Sequence, residues 1–301
     1  MQSTPISPLP REEYIEQSHF FTVLGAGLQE SSPAQDVLAS VREEVLATTK
    51  LPMAVDFLLA ELRHQGIFSL GMQRLTHYFT PFQCYVMREA ENDRRRFDLR
   101  IGLEILRREA EYRVDEGISR AGLFLYQFEA LCRNRLGYDE GLEAIAADPS
   151  YDPTWREWIL TVRRQIGIVE LADLVYVRSE FYHERTRPLD RPRESSKPAP
   201  PVAGDEGSAT AAVLFGRQEG RIAWANRQKD PLLLFAALHR QLGYPQVPRT
   251  QQADPEQRLL PVLARRVEQL EARLKLVEEE QRGGIELDRF YTSDEKPRNL
   301  G

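Results

Sequence analysis

Cysteine is scarce in this chain: only Cys84 and Cys132 occur in 301 residues, each inside an apolar helical pattern. Neither belongs to a CxxC pair, which argues against a thiol-built zinc site, and two isolated thiols are expected as reduced, buried side chains. Long apolar runs are missing as well. LLLFAAL (232–238) is among the longest, far short of the roughly 18 consecutive apolar residues a membrane span requires. The opening MQSTPISPLPREEY has no basic segment followed by an apolar one, so no secretory signal is expected. A cytoplasmic chain with no membrane partner follows as the expectation.

The short signatures of common enzymes are absent too: no GxSxG, no GxxxxGK[ST], no HExxH and no EF-hand loop. The GAG at 25–27 lacks the strand-then-helix context of a nucleotide fingerprint and is expected to interrupt or end the first helix. No internal repeat marks an array. Charge of one sign is not in large excess: 40 Lys and Arg against 46 Asp and Glu leave a net charge of −6. That balance does not call for a nucleic-acid partner, and the basic runs RRRF (94–97) and VRRQ (162–165) are expected as solvated helix faces.

Strand-like alternation is missing between residues 9 and 185, and what stands there instead is helix after helix. Ser32-Pro33, Thr80-Pro81 and Asp152-Pro153 read as cap-plus-proline starts. Gly66 reads as a stop, and Gly137 as the residue after the end of AGLFLYQFEALCRNRLG. The pattern predicts an all-α bundle of seven to nine helices, following a disordered segment 1–8. Tyr78, Phe79, Phe82 and Tyr85, and likewise Trp155 and Trp158, recur at helical spacing and are assigned to the core. Tyr126, Gln127, Glu129 and Arg133 place polar groups on a strongly apolar helix, where a buried network is favoured over a pocket lining.

From 186 to 209 proline, small polar residues and charge dominate and apolar anchors are nearly gone, the composition of a disordered linker that lets flanking units range. In 210–250, AVLF and RIAWA flank a turn between Gly216 and Gly220 and predict a β-hairpin, followed by a helix from Asp230-Pro231 to Gly243. A coiled-coil helix is expected over 254–282, and a polar tail over 283–301. The fold class is thus mainly α: a multi-helix bundle, a proline- and charge-rich linker, a small hairpin-plus-helix module and a short coiled coil.

The coil assignment rests on LLPVLARRVEQLEARLKLVEEEQ (259–281). Leu260, Leu263, Val267, Leu270, Leu274 and Val277 alternate at spacings of three and four, as the a and d positions of a heptad. Arg266 and Arg273 fall at g, Glu271 and Glu278 at e. In a parallel pair, Arg266 of one copy would face Glu271 of the other, and Arg273 would face Glu278. A parallel homodimer is therefore the expected partnership, although fewer than three heptads make the seam short.

Three of five histidines have a glutamate three positions earlier: Glu16 before His19, Glu61 before His64 and Glu180 before His183. On a helix this spacing puts both on one face, as in carboxylate–histidine metal bundles. Glu104, Glu109 and Glu129 are available as bridging carboxylates. Surface pairing explains such spacings as well, so no metal or other cofactor is called for. Glu61, His64, Glu16 and His19 are the residues to examine. The favoured function is a non-enzymatic interaction or scaffold protein, dimerising through its coil and presenting a helical binding domain. The alternative is an all-α enzyme or ligand-binding domain, metal-dependent through the ExxH pairs, with the coil as an oligomerisation accessory.

Overall fold

The structure is a computed structural model and describes residues 8–30, 33–92, 97–115, 117–186 and 212–249. The chain divides into two units, Met1–Thr250 and Gln251–Gly301, and every described residue belongs to the first. The expected coil 254–282, the tail 283–301 and nearly all of the linker lie outside the described residues.

Among the described residues thirteen helices follow one another: α1 (Arg11–Gln29), α2 (Ala34–Glu44), α3 (Leu51–Gln65), α4 (Phe68–Arg74), α5 (Pro81–Ala90), α6 (Leu99–Val114) and α7 (Arg120–Arg133), then α8 (Tyr138–Ala146), α9 (Pro153–Gln165), α10 (Leu171–Val177), α11 (Glu180–Thr186), α12 (Arg217–Ala225) and α13 (Pro231–Leu242). The described residues contain no strand, and none of their helices is long and apolar enough to cross a membrane. Eleven helices precede residue 187, more than periodicity predicts. The surplus includes α4, α10 and α11, each 7 residues long, too short to complete a periodic pattern.

Local chemistry sets most boundaries. Thr80 accepts from Gln83 N–H while the Gln83 side chain reaches back to Thr80 N–H, a reciprocal cap that starts α5. Asp98, Ser119, Asp152 and Asp230 cap α6, α7, α9 and α13 through their side-chain oxygens. Gly66 and Gly243 end α3 and α13 at φ of 70° and 66°, a conformation that costs a residue with a Cβ.

Three local expectations are corrected. The GAG at 25–27 does not break α1, which runs through it. A Cβ on Gly27 would stand 2.4 Å from Val37 Cγ2, so this glycine admits α2 against α1. Gly137 begins α8 rather than closing α7, at φ −65° and ψ 120°; α7 ends at Asn134, and Arg135 takes the left-handed turn at φ 54°. The predicted β-hairpin is absent, because RIAWA lies inside α12. Gly216 is the cap of that helix, and Gly220 is a contact point where a Cβ would meet Ser179 Oγ at 2.2 Å. The residues buried there, Glu219, Gly220 and Ala223, follow helical spacing that the alternation of RIAWA conceals.

Helix α7 is the axis of the unit, since all its residues from 121 to 131 are buried. A helix buried all round must be covered on every side, and α6, α8 and α13 pack against it. Phe124 lies edge-on to Trp158 with ring centroids 4.8 Å apart, and Phe128 approaches Phe235 of α13 at 6.0 Å. Tyr78, Phe79, Phe82, Tyr85, Trp155 and Trp158 are all buried, as their spacing predicts.

The segment after the linker shares this core. Phe215 is wedged between Trp155 and Trp158 at 5.3 and 5.1 Å. The N–H groups of Leu214 and Phe215 donate to Arg178 O at 2.9 and 3.1 Å, and Glu180 N–H donates to Phe215 O at 3.0 Å. Leu214 and Phe215 therefore pack on the same body as the helices before residue 187.

Candidate functional site

Two assemblies of polar groups stand out, one sealed inside the unit and one on its surface. In the interior, Glu109 and Arg113 lie one helical turn apart on α6, beside Asp148 in the loop after α8. Arg113 Nη2 donates to Glu109 Oε1 at 2.9 Å and also to Asp148 Oδ2, while Nη1 donates to Ser150 Oγ at 2.8 Å. Gln127 Nε2 of α7 donates to Glu109 Oε1 at 2.6 Å and to Asp148 Oδ2 at 3.3 Å, and the Tyr151 hydroxyl donates to Gln127 Oε1 at 2.8 Å. The guanidinium also lies 5.6 Å from the Tyr14 ring centroid. One cluster thus ties α1, α6, α7 and the α8–α9 loop together.

Electrostatics follow from burial. The Glu109 and Asp148 side chains are 0% exposed and that of Arg113 is 2% exposed. Burial pushes the Glu109 carboxyl above its usual range, against the opposing pull of Arg113. Burial alone works against the Arg113 charge, but the fields of Asp148 and Glu109 outweigh it and hold the guanidinium protonated. Burial thus works against the Glu109 charge, while the Arg113 charge is held by the two carboxylates beside it. A cluster sealed to this degree gives a solute no route to its atoms, so its work is structural.

A second network joins Glu129 and Arg133 of α7 to the segment after α13. Arg133 pairs with Glu129, whose other oxygen accepts from the Tyr244 hydroxyl at 2.8 Å. Arg108 and Asn134 donate to the carbonyls of Gln246 and Pro248 at 2.6 and 3.0 Å. Tyr126 donates to Ile105 O at 2.7 Å. Tyr126, Gln127, Glu129 and Arg133 are accordingly members of hydrogen-bonded networks.

The histidine pairs serve other purposes. Glu16 accepts from Leu46 N–H at 2.9 Å and closes the α2–α3 loop onto α1, while His19 Nε2 sits 3.3 Å from Glu44 at the surface. Glu61 accepts from Arg74 at 2.6 Å, and His64 is exposed. Among the described residues no three His, Cys, Asp or Glu side chains converge as metal ligands would, so Glu16, His19, Glu61 and His64 do not form one cluster. Cys84 and Cys132 are free, with burial pushing each thiol up to about 12. The coil residues Leu260 to Glu278 lie outside the described residues. An open cleft of about 310 Å³ is lined by Asp139, Leu160, Arg163 and Arg164, and Arg163 is already held by both oxygens of Asp139 at 2.6 and 2.9 Å.

The surface assembly lies where α10, α11 and α12 meet. Arg227 places its guanidinium carbon 4.2 Å from the Trp224 ring centroid and 4.5 Å from that of Tyr176, while pairing with Asp173. Arg185, at the end of α11, lies 4.6 Å from Trp224 and 5.6 Å from Phe181. Trp224 and Tyr176 approach within 4.8 Å. Each such cation–ring contact contributes about 0.5–1 kcal/mol at an exposed position. Trp224 stays 39% exposed, whereas Trp155 and Trp158 are 4% and 2% exposed.

Sequence reasoning missed this surface. Its signal was Arg217, Arg221 and Trp224 at positions i, i+4 and i+7, one helical stripe that a hairpin reading splits between the turn, which takes Arg217, and opposite faces of the second strand, which take Arg221 and Trp224. The fold and these two assemblies define an all-α unit with a sealed ionic interior and an aromatic–arginine surface. Compared with family models, curated proteins and solved structures, the chain finds no match.

Proposed function

We propose that this chain is a non-enzymatic interaction protein of the cytoplasm. In this reading the helical unit supplies the binding surface, and the heptad seam within 254–282 pairs two copies in parallel. The observation that carries it is Trp224, a large aromatic side chain left 39% exposed and flanked by guanidiniums at 4.6 and 4.2 Å. Tryptophan, tyrosine and arginine are the side chains that most often dominate binding energy where proteins meet. The complementary e and g charges of the seam support the pairing, and two free thiols are consistent with a reducing compartment. Two copies joined in this way present two such surfaces, so a repeated partner is held by avidity without new contacts at either site.

Light scattering tests the pairing. The full chain should scatter as a dimer, and a chain ending at Thr250 or carrying Leu263→Asp with Leu270→Asp as a monomer. A monomeric full chain would overturn it.

A further inference from the structure

The chemistry of the partner can be read from the same surface, an inference that rests on the interaction reading above. We propose that the α11–α12 face around Trp224 docks an acidic peptide segment of a partner protein, one that offers carboxylates beside an apolar side chain. Arg217, Arg221 and Trp224 share one face of α12, with Arg185 and Arg227 stacked on the indole. Arg217 pairs with Glu184 and Arg227 with Asp173. Arg185 and Arg221 pair with no carboxylate among the described residues. The face therefore carries surplus positive charge on a chain whose net charge is −6.

Stacking makes the surplus directional. A guanidinium lying on an aromatic ring keeps its in-plane N–H fork free, and that fork matches a carboxylate with two parallel hydrogen bonds. The exposed part of the indole gives an apolar side chain of the partner a place to bury. The ring contacts of Arg185 and Arg227 also argue against a nucleic-acid ligand, because base stacking requires a free aromatic face. Asp173 and Glu184, within the same face, are taken up by Arg227 and Arg217, which leaves Arg185 and Arg221 as the guanidiniums open to a peptide carboxylate.

The test uses the full chain and three fluorescein-labelled probes: a glutamate–leucine peptide, a lysine–leucine peptide of equal length and an oligothymidylate. Anisotropy should report binding of the acidic peptide alone. The double variant Arg185→Glu/Arg221→Glu, and Trp224→Ala separately, should each weaken that binding about tenfold or more, the loss expected at an interface hot spot. Circular dichroism and urea unfolding should show both variants folded; the two exposed arginines keep the test informative if Trp224→Ala is unstable. Acrylamide quenching gives a second readout, since Trp224 is the exposed one of the three tryptophans, and the bound peptide should shield it. Binding of the oligonucleotide in place of the acidic peptide overturns the proposal, as does acidic-peptide affinity unchanged in the charge-reversed variant or no binding at all. Leu263→Asp/Leu270→Asp separates the two readings: it should abolish pairing and leave the affinity per chain for the peptide unchanged.

Discussion

Replacing Arg113 with methionine tests the buried ionic cluster most directly. Methionine keeps the length of the side chain within a site where arginine is 2% exposed, but removes the only cation between Glu109 and Asp148. Glu109 already favours its neutral form through burial, so the variant's main penalty falls on Asp148, which is left buried without its counter-ion. The cheapest escape is for that carboxyl to take up a proton in the folded state. Holding a carboxyl of ordinary acidity neutral costs about 1.4 kcal/mol for each pH unit above ~3.9, so the penalty is limited to about 4 kcal/mol at pH 7 and about 1.5 kcal/mol at pH 5. The upper figure agrees with the ~3–5 kcal/mol typical of breaking a buried pair from one side, a large fraction of the stability of most domains. The sign follows from proton counting. The folded variant binds a proton that its unfolded chain has released, so its stability falls as pH rises above the ordinary carboxylate range. Urea unfolding followed by the emission of Trp155 and Trp158 at pH 5 and pH 7 measures both quantities. A loss below about 1 kcal/mol at pH 7, or the same loss at both pH values, would refute the reasoning.

Glu109→Gln removes a group whose folded pKa is raised, and whose stabilising contribution is therefore lost as pH rises from the ordinary carboxylate range through the raised value. The variant should gain on the parent as pH is raised from 4 to 7 in urea titrations, and the opposite trend would contradict the upward shift of the Glu109 carboxyl. Gly220→Ala places a Cβ 2.2 Å from Ser179 Oγ and 2.9 Å from Phe181 Cβ. It should cost about 1–3 kcal/mol by overpacking and alter the near-ultraviolet circular dichroism of the Tyr176–Trp224 cluster; an unchanged melting temperature would show that α12 is not in close contact with Ser179 and the start of α11 there. Tyr244→Phe strips the hydroxyl that donates to Glu129 Oε2, and chemical denaturation should register a loss of about 1–3 kcal/mol for the buried acceptor left behind.

Much of the helical architecture was legible in the sequence because its causes are local. Thr80-Pro81 and Asp152-Pro153 start helices because the Thr80 and Asp152 side-chain oxygens accept from backbone N–H groups three residues on, and Gly66 stops one by taking a left-handed turn. The burial of Phe82, Trp155 and Trp158 followed from helical spacing. Reading failed where a residue's purpose lies in another part of the chain. Gly27 and Gly220 look like breakers, yet each sits inside a helix so that a neighbouring element can approach. RIAWA alternates like a strand, yet Gly220 and Ala223 are buried at helical spacing, with Gly220 facing Ser179 and Phe181. The Glu-xx-His spacings were real, but Arg74 and Leu46 N–H take up the carboxylates of Glu61 and Glu16.

By itself, the sequence determined the all-α class, most helix starts, the aromatic core and the heptad pattern of 254–282, because caps, turns and periodic burial depend on residues a few positions apart. Tertiary structure alone decided that Phe215 and Phe235 share the core of α7 and α9, and that Arg113 reaches Asp148. It also decided that Arg185 and Arg227 meet on Trp224 across α11 and α12. Those contacts join groups far apart in the chain, and no local pattern records which distant side chain a buried charge or an exposed ring will find.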